Sequence, residues 1–344
     1  MHADRFRALL DTTGPFVSVY FDDSHDTADA GAQLDARLRD IRKHLEEQSV
    51  HHSLIEAIDA AVRAKHPPVG RSGRYMIAAG DRIVFDEHLA RPPAGTQLRV
   101  SDQPYLVPVV EHGISHTSYL LVAVDHTGAD ITVHDGQSRT ETVEGSGHPV
   151  HKAHKADTAG YGGPQGRVDE AVRKNLREVA DRITRLVDET GAGVVFITGD
   201  ARTELAAELP ERVADKAVGV QGGGRAAGTD EAELQRGIGE ELLKLRLAAL
   251  DDAAQRFAAG HGAGLAVEGL AAVTAALRDG SVDILIIGDL GDQTVIDEEG
   301  LRRADEALPL LAVATGAAMV RTDSRLTPAD GIAAVLRYAD PNVG

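Results

Sequence analysis

From residue 118 onward, short apolar runs typical of buried strands alternate with longer stretches of helical periodicity. Residues 118–124 and 130–135 are two such runs on either side of His126-Thr127-Gly128, which predicts a β-hairpin. Residues 193–199 and 282–287 are further runs, and each is followed by a helical pattern. Strands separated by helices commonly pair in parallel, so the sequence predicts an α/β fold with a partly parallel sheet covered by helices.

The chain has 344 residues, enough for two or three domains with separate hydrophobic cores. We predict an α+β N-terminal domain over residues 1–112, a middle domain over residues 113–250 and a C-terminal α/β/α sandwich over residues 251–344. Residues 104–113 contain proline and predict a linker. The periodicity of the outer domains predicts strand 15–21, helices 32–47 and 53–64, strands 74–79 and 81–88, helix 268–279, strand 282–287, helix 298–310, strand 317–320 and helix 331–338.

A basic, glycine-rich segment interrupts a chain whose formal net charge is −18. Residues 158–166 contain too many glycines to hold one backbone conformation, and they run into residues 168–187, whose periodicity predicts an amphipathic helix. The histidines and basic residues of this region are His148, His151, Lys152, His154, Lys155, Arg167, Arg173, Lys174, Arg177, Arg182 and Arg185. Because the acidic remainder repels polyanions, the pattern favours a local contact with RNA through a mobile basic loop on a rigid helix.

The composition excludes several kinds of site. A chain without cysteine has no disulfide framework, no Cys-ligated zinc site and no iron–sulfur cluster. No apolar run approaches about 20 residues, and no signal-peptide hydrophobic region follows the first five residues, so we expect a cytoplasmic protein with no membrane contact. The overall acidity argues against indiscriminate binding to nucleic acid, and we expect no DNA partner.

The charged helix over residues 168–187 also has a purely structural interpretation. Such a helix is commonly a solvated face, held by ion pairs between side chains four residues apart. Glu170 with Lys174 and Glu178 with Arg182 have this spacing. In this interpretation the charges stabilise the helix and keep it solvated, without binding a partner.

Other polar patterns are open to the same double interpretation. The motif His148-x-x-His151-x-x-His154 has helical spacing, but Pro149 interrupts it and no carboxylate of ligand spacing accompanies it, so we expect no metal and no cofactor. Gly222-Gly223-Gly224-Arg225 suits a phosphate cradle, although a turn explains it more simply. Asp200 and Asp289 follow buried strands, where α/β enzymes carry catalytic groups, but capping and turn formation place aspartate there more often.

Two parts of the chain resemble the archaeal and eukaryotic release factor one and Pelota family. Residues 120–125 and 130–136, followed by Lys152, Lys155, the glycines and Arg173-Lys174-Asn175-Leu176, resemble the middle domain of that family. Residues 267–287, in which a helix ends at a glycine and a strand begins two residues later, are similar to its third domain. The resemblance implies a three-domain α/β architecture with an RNase H-like middle domain, in a bacterial branch of the family.

The sequence departs from the family at its two working parts. Release factors of this kind carry Gly-Gly-Gln, whose glutamine helps to position the water that attacks the peptidyl ester. Here Pro164 separates Gly162-Gly163 from Gln165, which fixes φ near about −65° and removes an amide proton. The N-terminal domain also lacks the Asn-Ile-Lys-Ser type of signature linked with stop-codon reading. The resemblance therefore implies a non-enzymatic, Balon-like ribosome hibernation factor.

In this reading, the protein occupies the ribosomal A site and directs its basic Gly-rich loop (residues 148–167) toward the peptidyl transferase centre. The expected RNA-binding residues are Lys152, His154, Lys155, Tyr161, Gly162, Gly163, Pro164, Gln165, Arg167, Arg173, Lys174 and Arg177. The implied partners are the rRNA of the 70S ribosome and elongation factor Tu or a similar translational GTPase, because the chain has no phosphate-binding Gly-x-x-x-x-Gly-Lys-Ser/Thr loop of its own. We expect a monomer.

Two alternative functions remain open from the sequence. In one, Gln165 still orients water despite Pro164, and the protein is a rescue or release factor that hydrolyses peptidyl-tRNA. In the other, the α/β domains bind a small ligand or nucleotide, and the protein is a stress protein that acts without ribosomes.

Overall fold

The computed structural model describes a series of ranges separated by short gaps. These are residues 3–64, 71–89, 92–112, 118–134, 138–147, 164–225, 230–297, 300–322 and 326–339. The chain divides into two compact units, one formed by Met1–Ser115 together with Leu242–Gly344, and the other by His116–Glu241. The boundaries of the three predicted domains stay a prediction, and in the structure the first and last segments of the chain share one unit.

The N-terminal segment is a sheet with helices. Its elements are the 3-10 helix Ala3–Leu9, β1 (Phe16–Asp22), α1 (Ala30–Glu47), α2 (His52–Ala64), β2 (Gly73–Ala79), β3 (Arg82–Leu89), β4 (Gln97–Ser101) and α3 (Val107–His112). The strands pair antiparallel in the order β3-β2-β1-β4. Successive side chains of a strand face opposite sides, so Val17, Val19 and Phe21 share a core with the apolar faces of α1 and α2.

The middle segment is built on a mixed sheet. Its elements are β5 (Tyr119–Val124), β6 (Gly128–His134), β7 (Ser138–Glu144), α4 (Pro164–Thr190), β8 (Val194–Thr198), α5 (Arg202–Glu208), α6 (Glu211–Ala214), β9 (Ala217–Gly219) and α7 (Glu231–Gly260). The order is β7-β6-β5-β8-β9, with antiparallel pairing from β5 to β7 and parallel pairing from β5 to β9. The predicted hairpin and the partly parallel sheet are confirmed.

The C-terminal segment is an α/β/α sandwich, as predicted. It contains β10 (Ala266–Glu268), α8 (Leu270–Arg278), β11 (Val282–Ile287), β12 (Thr294–Asp297), β13 (Gly300–Arg303), α9 (Ala304–Thr315), β14 (Ala318–Arg321), the 3-10 helix Ala329–Gly331 and β15 (Ile332–Leu336). The sheet order is β10-β15-β11-β14. Phe257 of α7 packs on one face of this sheet, and α8 and α9 pack on the other. Within the described ranges, no helix combines the length and apolar character needed to cross a membrane.

Three predictions about secondary structure are wrong. The linker predicted over residues 104–113 is one of them, because α3 (Val107–His112) buries Val107, Val109 and Val110 in a core. Residues 331–338 do not form a helix, because residues 332–336 are β15, a fully buried strand paired with β10 and β11. The helix predicted from residue 298 begins only at Ala304, since the residues before it pair with β12.

One hydrophobic core joins the N-terminal and C-terminal segments. The face of the N-terminal sheet that carries Phe16 and Tyr20 shares this core with Leu308 of α9. At its edge, Arg99 of β4 donates hydrogen bonds of 2.9 Å to both Asp305 and Glu306 at the start of α9. Burial raises the pKa of the Glu306 carboxyl, and the hydrogen bond from Arg99 opposes that rise. The two segments are therefore joined by both apolar packing and a buried ionic cluster.

A second buried ionic cluster lies inside the N-terminal segment. Arg74 of β2 is fully buried and binds Asp86 of β3 through two hydrogen bonds of 2.8 Å. Its guanidinium also donates to the carbonyls of Ala61 and Val62, near the end of α2. Asp23 is only 1% exposed and lies 3.9 Å from Arg74, and burial raises the pKa of its carboxyl to about 6.

Candidate nucleic-acid interface

Helix α4 presents one face to the middle sheet and another to solvent. Leu176, Val179 and Ile183 are buried against the sheet, at spacings of three and four residues that place them on one helix face. Toward the amino end of α4, Arg173, Lys174 and Arg177 are exposed. The predicted amphipathic helix is thus confirmed. Its exposed basic residues lie directly before and after the first buried positions, Asn175 and Leu176.

The predicted RNA-binding residues fall into three groups. The first group lies outside the described residues: Lys152, His154, Lys155, Tyr161, Gly162 and Gly163. Pro164, Gln165 and Arg167 lie in the first turns of α4, where the description covers the backbone and not the side chains. The third group is Arg173, Lys174 and Arg177, which the helix brings together on one exposed surface. RNA binding by all three groups stays a prediction.

The position of Pro164 bears on the interrupted glycine motif. Pro164 is the first residue of α4, where its fixed φ suits a helix and its missing amide proton costs no helical hydrogen bond. Gln165 follows within the first helical turn. Its backbone is therefore helical, unlike the unusual backbone that two adjacent glycines allow.

The exposed basic surface of α4 is partly offset by acidic groups. Arg173, Lys174 and Arg177 line an open concavity of about 510 Å³ together with Asp169 and Glu170. These five described lining residues are all charged, which suits a polyanion or another charged surface better than an apolar ligand.

Glu208 of α5 forms ion pairs with two arginines of this surface. Its carboxylate lies 2.9 Å from Nε of Arg177 and 4.0 Å from Nε of Arg173. Both arginine side chains remain more than half exposed, so they pair with Glu208 without being removed from solvent. Glu208 therefore lowers the positive potential of the surface while leaving the arginines accessible.

Further along α4, the expected ion pair between Glu178 and Arg182 does not form. Arg182 instead binds Glu141 of β7 through hydrogen bonds of 2.6 and 2.8 Å, which lower the pKa of the Glu141 carboxyl. A bidentate partner on the neighbouring strand offers better geometry than a flexible pair along the helix. Arg182 thus ties α4 to the sheet edge.

Glu178 binds the segment that precedes residue 148. We call residues 145–147 the stem. The Glu178 carboxylate accepts hydrogen bonds from the Ser146 hydroxyl and, at 2.8 Å, from the Ser146 amide, and these lower its pKa. Asn175, which is 2% exposed, accepts a hydrogen bond of 2.7 Å from the amide of Gly147. The stem is therefore held on α4 at Asn175 and Glu178.

The glycine-rich turn before α7 is a structural junction. Gly222, Gly223 and Gly224 all have positive φ, as the sequence suggested for a turn. Arg225 then donates hydrogen bonds of 3.0 and 3.1 Å to the two carboxylate oxygens of Asp125, and it also binds Thr127 and Glu144. Because carboxylates already occupy the guanidinium, the turn does not offer this arginine to a phosphate.

Of the two aspartates that follow buried strands, Asp289 has a local role. Asp289 accepts a hydrogen bond from the amide of Gly291, which is the turn-forming role considered from the sequence. Asp200 stands in the turn between β8 and α5 and is exposed. In the described ranges, no group of three or more His, Asp or Glu side chains is arranged to hold a metal ion.

A protein family and two proteins of Mycobacterium tuberculosis are similar to this chain. The family described as Bacterial archaeo-eukaryotic release factor family 2 matches residues 118–263. The uncharacterized protein Rv2629 of Mycobacterium tuberculosis (strain ATCC 25618 / H37Rv) is 44% identical over 367 residues, which cover 99% of this chain and 98% of that protein. The uncharacterized protein MT2704 of strain CDC 1551 / Oshkosh gives the same values.

Solved structures with the same chain coverage are much more distant. Pelota of Archaeoglobus fulgidus is 13% identical with a TM-score of 0.34, covering 98% of this chain and 92% of its own. Dom34 of S. cerevisiae, described as a translation termination-like factor, is 8% identical with a TM-score of 0.41, covering 99% and 94%.

Proposed function

Since the chain belongs to the bacterial archaeo-eukaryotic release factor family 2, we propose that it is a ribosome-binding hibernation factor. In this proposal it occupies the A site and directs residues 148–167 toward the peptidyl transferase centre without hydrolysing peptidyl-tRNA. Membership of a release factor family supports a ribosome-associated function, and hibernation is the specific role that we propose within it.

The observation that carries the proposal is the exposed basic surface of α4. Arg173, Lys174 and Arg177 lie together in a protein of net charge −18, at the helical end of the basic segment. Cations grouped in this way replace the counterions of RNA phosphates, whereas the acidic remainder of the chain avoids RNA. The proposed partners are the rRNA of the 70S ribosome and elongation factor Tu or a similar GTPase, which requires a cytoplasmic protein.

The experiment is sedimentation of the purified protein with 70S ribosomes, with and without elongation factor Tu, over a range of salt concentrations. Stoichiometric binding that weakens steeply with salt is the expected result, because phosphate contacts release counterions. Absence of binding at every salt concentration contradicts the proposal and favours the ribosome-independent, ligand-binding alternative.

Replacing Glu208 with glutamine should strengthen ribosome binding. The substitution removes the anion that offsets Arg173 and Arg177, and it keeps the size of the side chain. We expect affinity to rise about two- to five-fold, the effect of one partly exposed charge, measured by sedimentation at a single salt concentration. Glu204→Gln on the same helix α5 is the matched control, and an equal gain in that variant would show that only total charge matters.

Ribosomes carrying peptidyl-tRNA should release no peptide when the protein is added. Pro164 begins α4 and places Gln165 in a helical turn, so the glutamine lacks the glycine backbone on which release factors rely. The measurement is release of labelled peptide, with a bacterial release factor as positive control. Release that disappears in the Gln165→Ala variant would instead establish the rescue-factor alternative.

A further inference from the structure

The stem, residues 145–147, fits against α4 with no free space. A Cβ atom added to Gly145 would lie 2.1 Å from Cγ of Asn175, and one added to Gly147 would lie 2.6 Å from its Oδ1. Real Cβ atoms do not approach other atoms so closely, so both positions require glycine while Asn175 keeps its place. The main chain of the stem therefore wraps directly around one side chain of the helix.

Both ends of the Asn175 amide are used by backbone groups. Its oxygen accepts from Gly147, and its nitrogen donates to the carbonyl of His126 at 3.1 Å, in the turn between β5 and β6. The amide of Gly145 donates to the carbonyl of Thr127 in the same turn. Asn175 thus fixes the stem to the helix and to the hairpin at once, and a buried amide with both partners in place strongly disfavours other arrangements.

The position of the stem sets where the following residues begin. The stem meets α4 at Asn175 and Glu178, and the chain re-enters the helix at Pro164. Pro164 and Asn175 are eleven residues apart, which corresponds to about 16 Å along the helix axis. The last described residue before the gap, Gly147, therefore lies beside Asn175, which neighbours the exposed Arg173, Lys174 and Arg177 along α4, and the first described residue after the gap, Pro164, begins the same helix.

We propose that Asn175 and Glu178 are positioning residues: by holding the stem on α4 they fix the starting point of residues 148–163, and ribosome binding depends on that fixed start. This inference rests on the proposed function, since the ribosome is the ligand whose binding the stem would support. Neither residue needs to touch RNA for this role.

An electrostatic role and a positioning role of Glu178 predict opposite changes in ribosome affinity when the side chain is removed. If Glu178 matters only as an anion beside a basic surface, its removal strengthens binding to RNA. If it holds the stem, Glu178→Ala weakens ribosome binding, and we expect about a ten-fold loss of affinity because two hydrogen bonds to a charged group are removed. Glu178→Gln removes the same charge but keeps an acceptor for the Ser146 amide, so it should retain binding.

The matched control is Glu170→Ala, which removes an exposed anion from the same helix without touching the stem. Its ribosome affinity should be unchanged or higher. Equal affinities of Glu178→Ala and Glu178→Gln, or a gain in Glu178→Ala like that of Glu170→Ala, would overturn the positioning role.

Amide hydrogen exchange separates failure of this inference from failure of the proposed function. Without ribosomes, the amides of Ser146 and Gly147 should exchange about ten-fold faster in Glu178→Ala than in wild type, while the core of α4 keeps its protection. Unchanged exchange at both amides would contradict the stem's attachment. If wild-type protein fails to bind ribosomes, the proposed function fails, and this measurement still decides whether Glu178 holds the stem.

Discussion

Replacing Arg74 with methionine is expected to lower the free energy of unfolding by about 3–5 kcal/mol. Methionine fills similar space, but it leaves the carboxylate of Asp86 without the guanidinium that binds it at two points, and it removes donors from the carbonyls of Ala61 and Val62. Urea unfolding at about pH 7.5 measures the effect. A decrease below about 1.5 kcal/mol, as for an ordinary volume-conserving substitution, would show that the cluster contributes little to the free energy of unfolding.

Within the same cluster, a substitution of Asp23 is expected to raise the free energy of unfolding and not to lower it. Burial raises the pKa of its carboxyl from 3.8 to about 6, so the folded state favours the protonated acid. The stability linked to this group is complete below its unfolded pKa and is lost as the pH rises through about 6. Asp23→Asn should therefore stabilise the protein by about 1–3 kcal/mol near pH 7.5, and the gain should vanish as the pH falls toward 4.

Replacing Arg99 with leucine is expected to destabilise the protein by about 3 kcal/mol at neutral pH. Asp305 keeps a second partner in Arg303, but Glu306 loses the guanidinium that binds it at 2.9 Å. Because burial already raises the pKa of Glu306, its charge without Arg99 is costly. The loss should shrink as the pH falls and Glu306 takes up a proton, which unfolding curves at several pH values would show.

Arg63→Leu is the control for Arg99. Arg63 also binds two carboxylates, those of Asp35 and Asp59, each at 2.8 Å, but its side chain is 52% exposed. Solvent screens exposed pairs, so this substitution should change stability little. Similar losses for Arg63→Leu and Arg99→Leu would mean that burial of the pair is not what matters.

Most of the fold could be predicted because its signals are local. The run at residues 282–287 is bounded by glycine and contains β-branched residues, and it forms β11 over the same residues. The run at residues 332–336 is equally apolar, but hydrophobic periodicity alone does not distinguish a short buried strand from a buried helix. Its place between β10 and β11 is set by pairing with distant residues, which no local pattern reveals.

The candidate site was predictable in its charges and unpredictable in its contacts. The grouping of Arg173, Lys174 and Arg177 follows from helical spacing alone. The partners of Glu178 and Arg182 do not, because Ser146 and Glu141 are more than 30 positions away along the chain. Asn175 belongs to the stretch that resembles the family's middle domain, but its buried contacts with the stem form only in the folded protein.

The shared core of the outer segments has a consequence for the order in which the protein can be completed during synthesis. Translation produces the N-terminal sheet first, and α1 and α2 can cover one of its faces at once. Its other face is covered only when α9 has been made, about 200 residues after β4. The middle unit is continuous in sequence, and its sheet and α4 are synthesised before α9. Its core can therefore form while the other unit, which needs the C-terminal segment, is still incomplete.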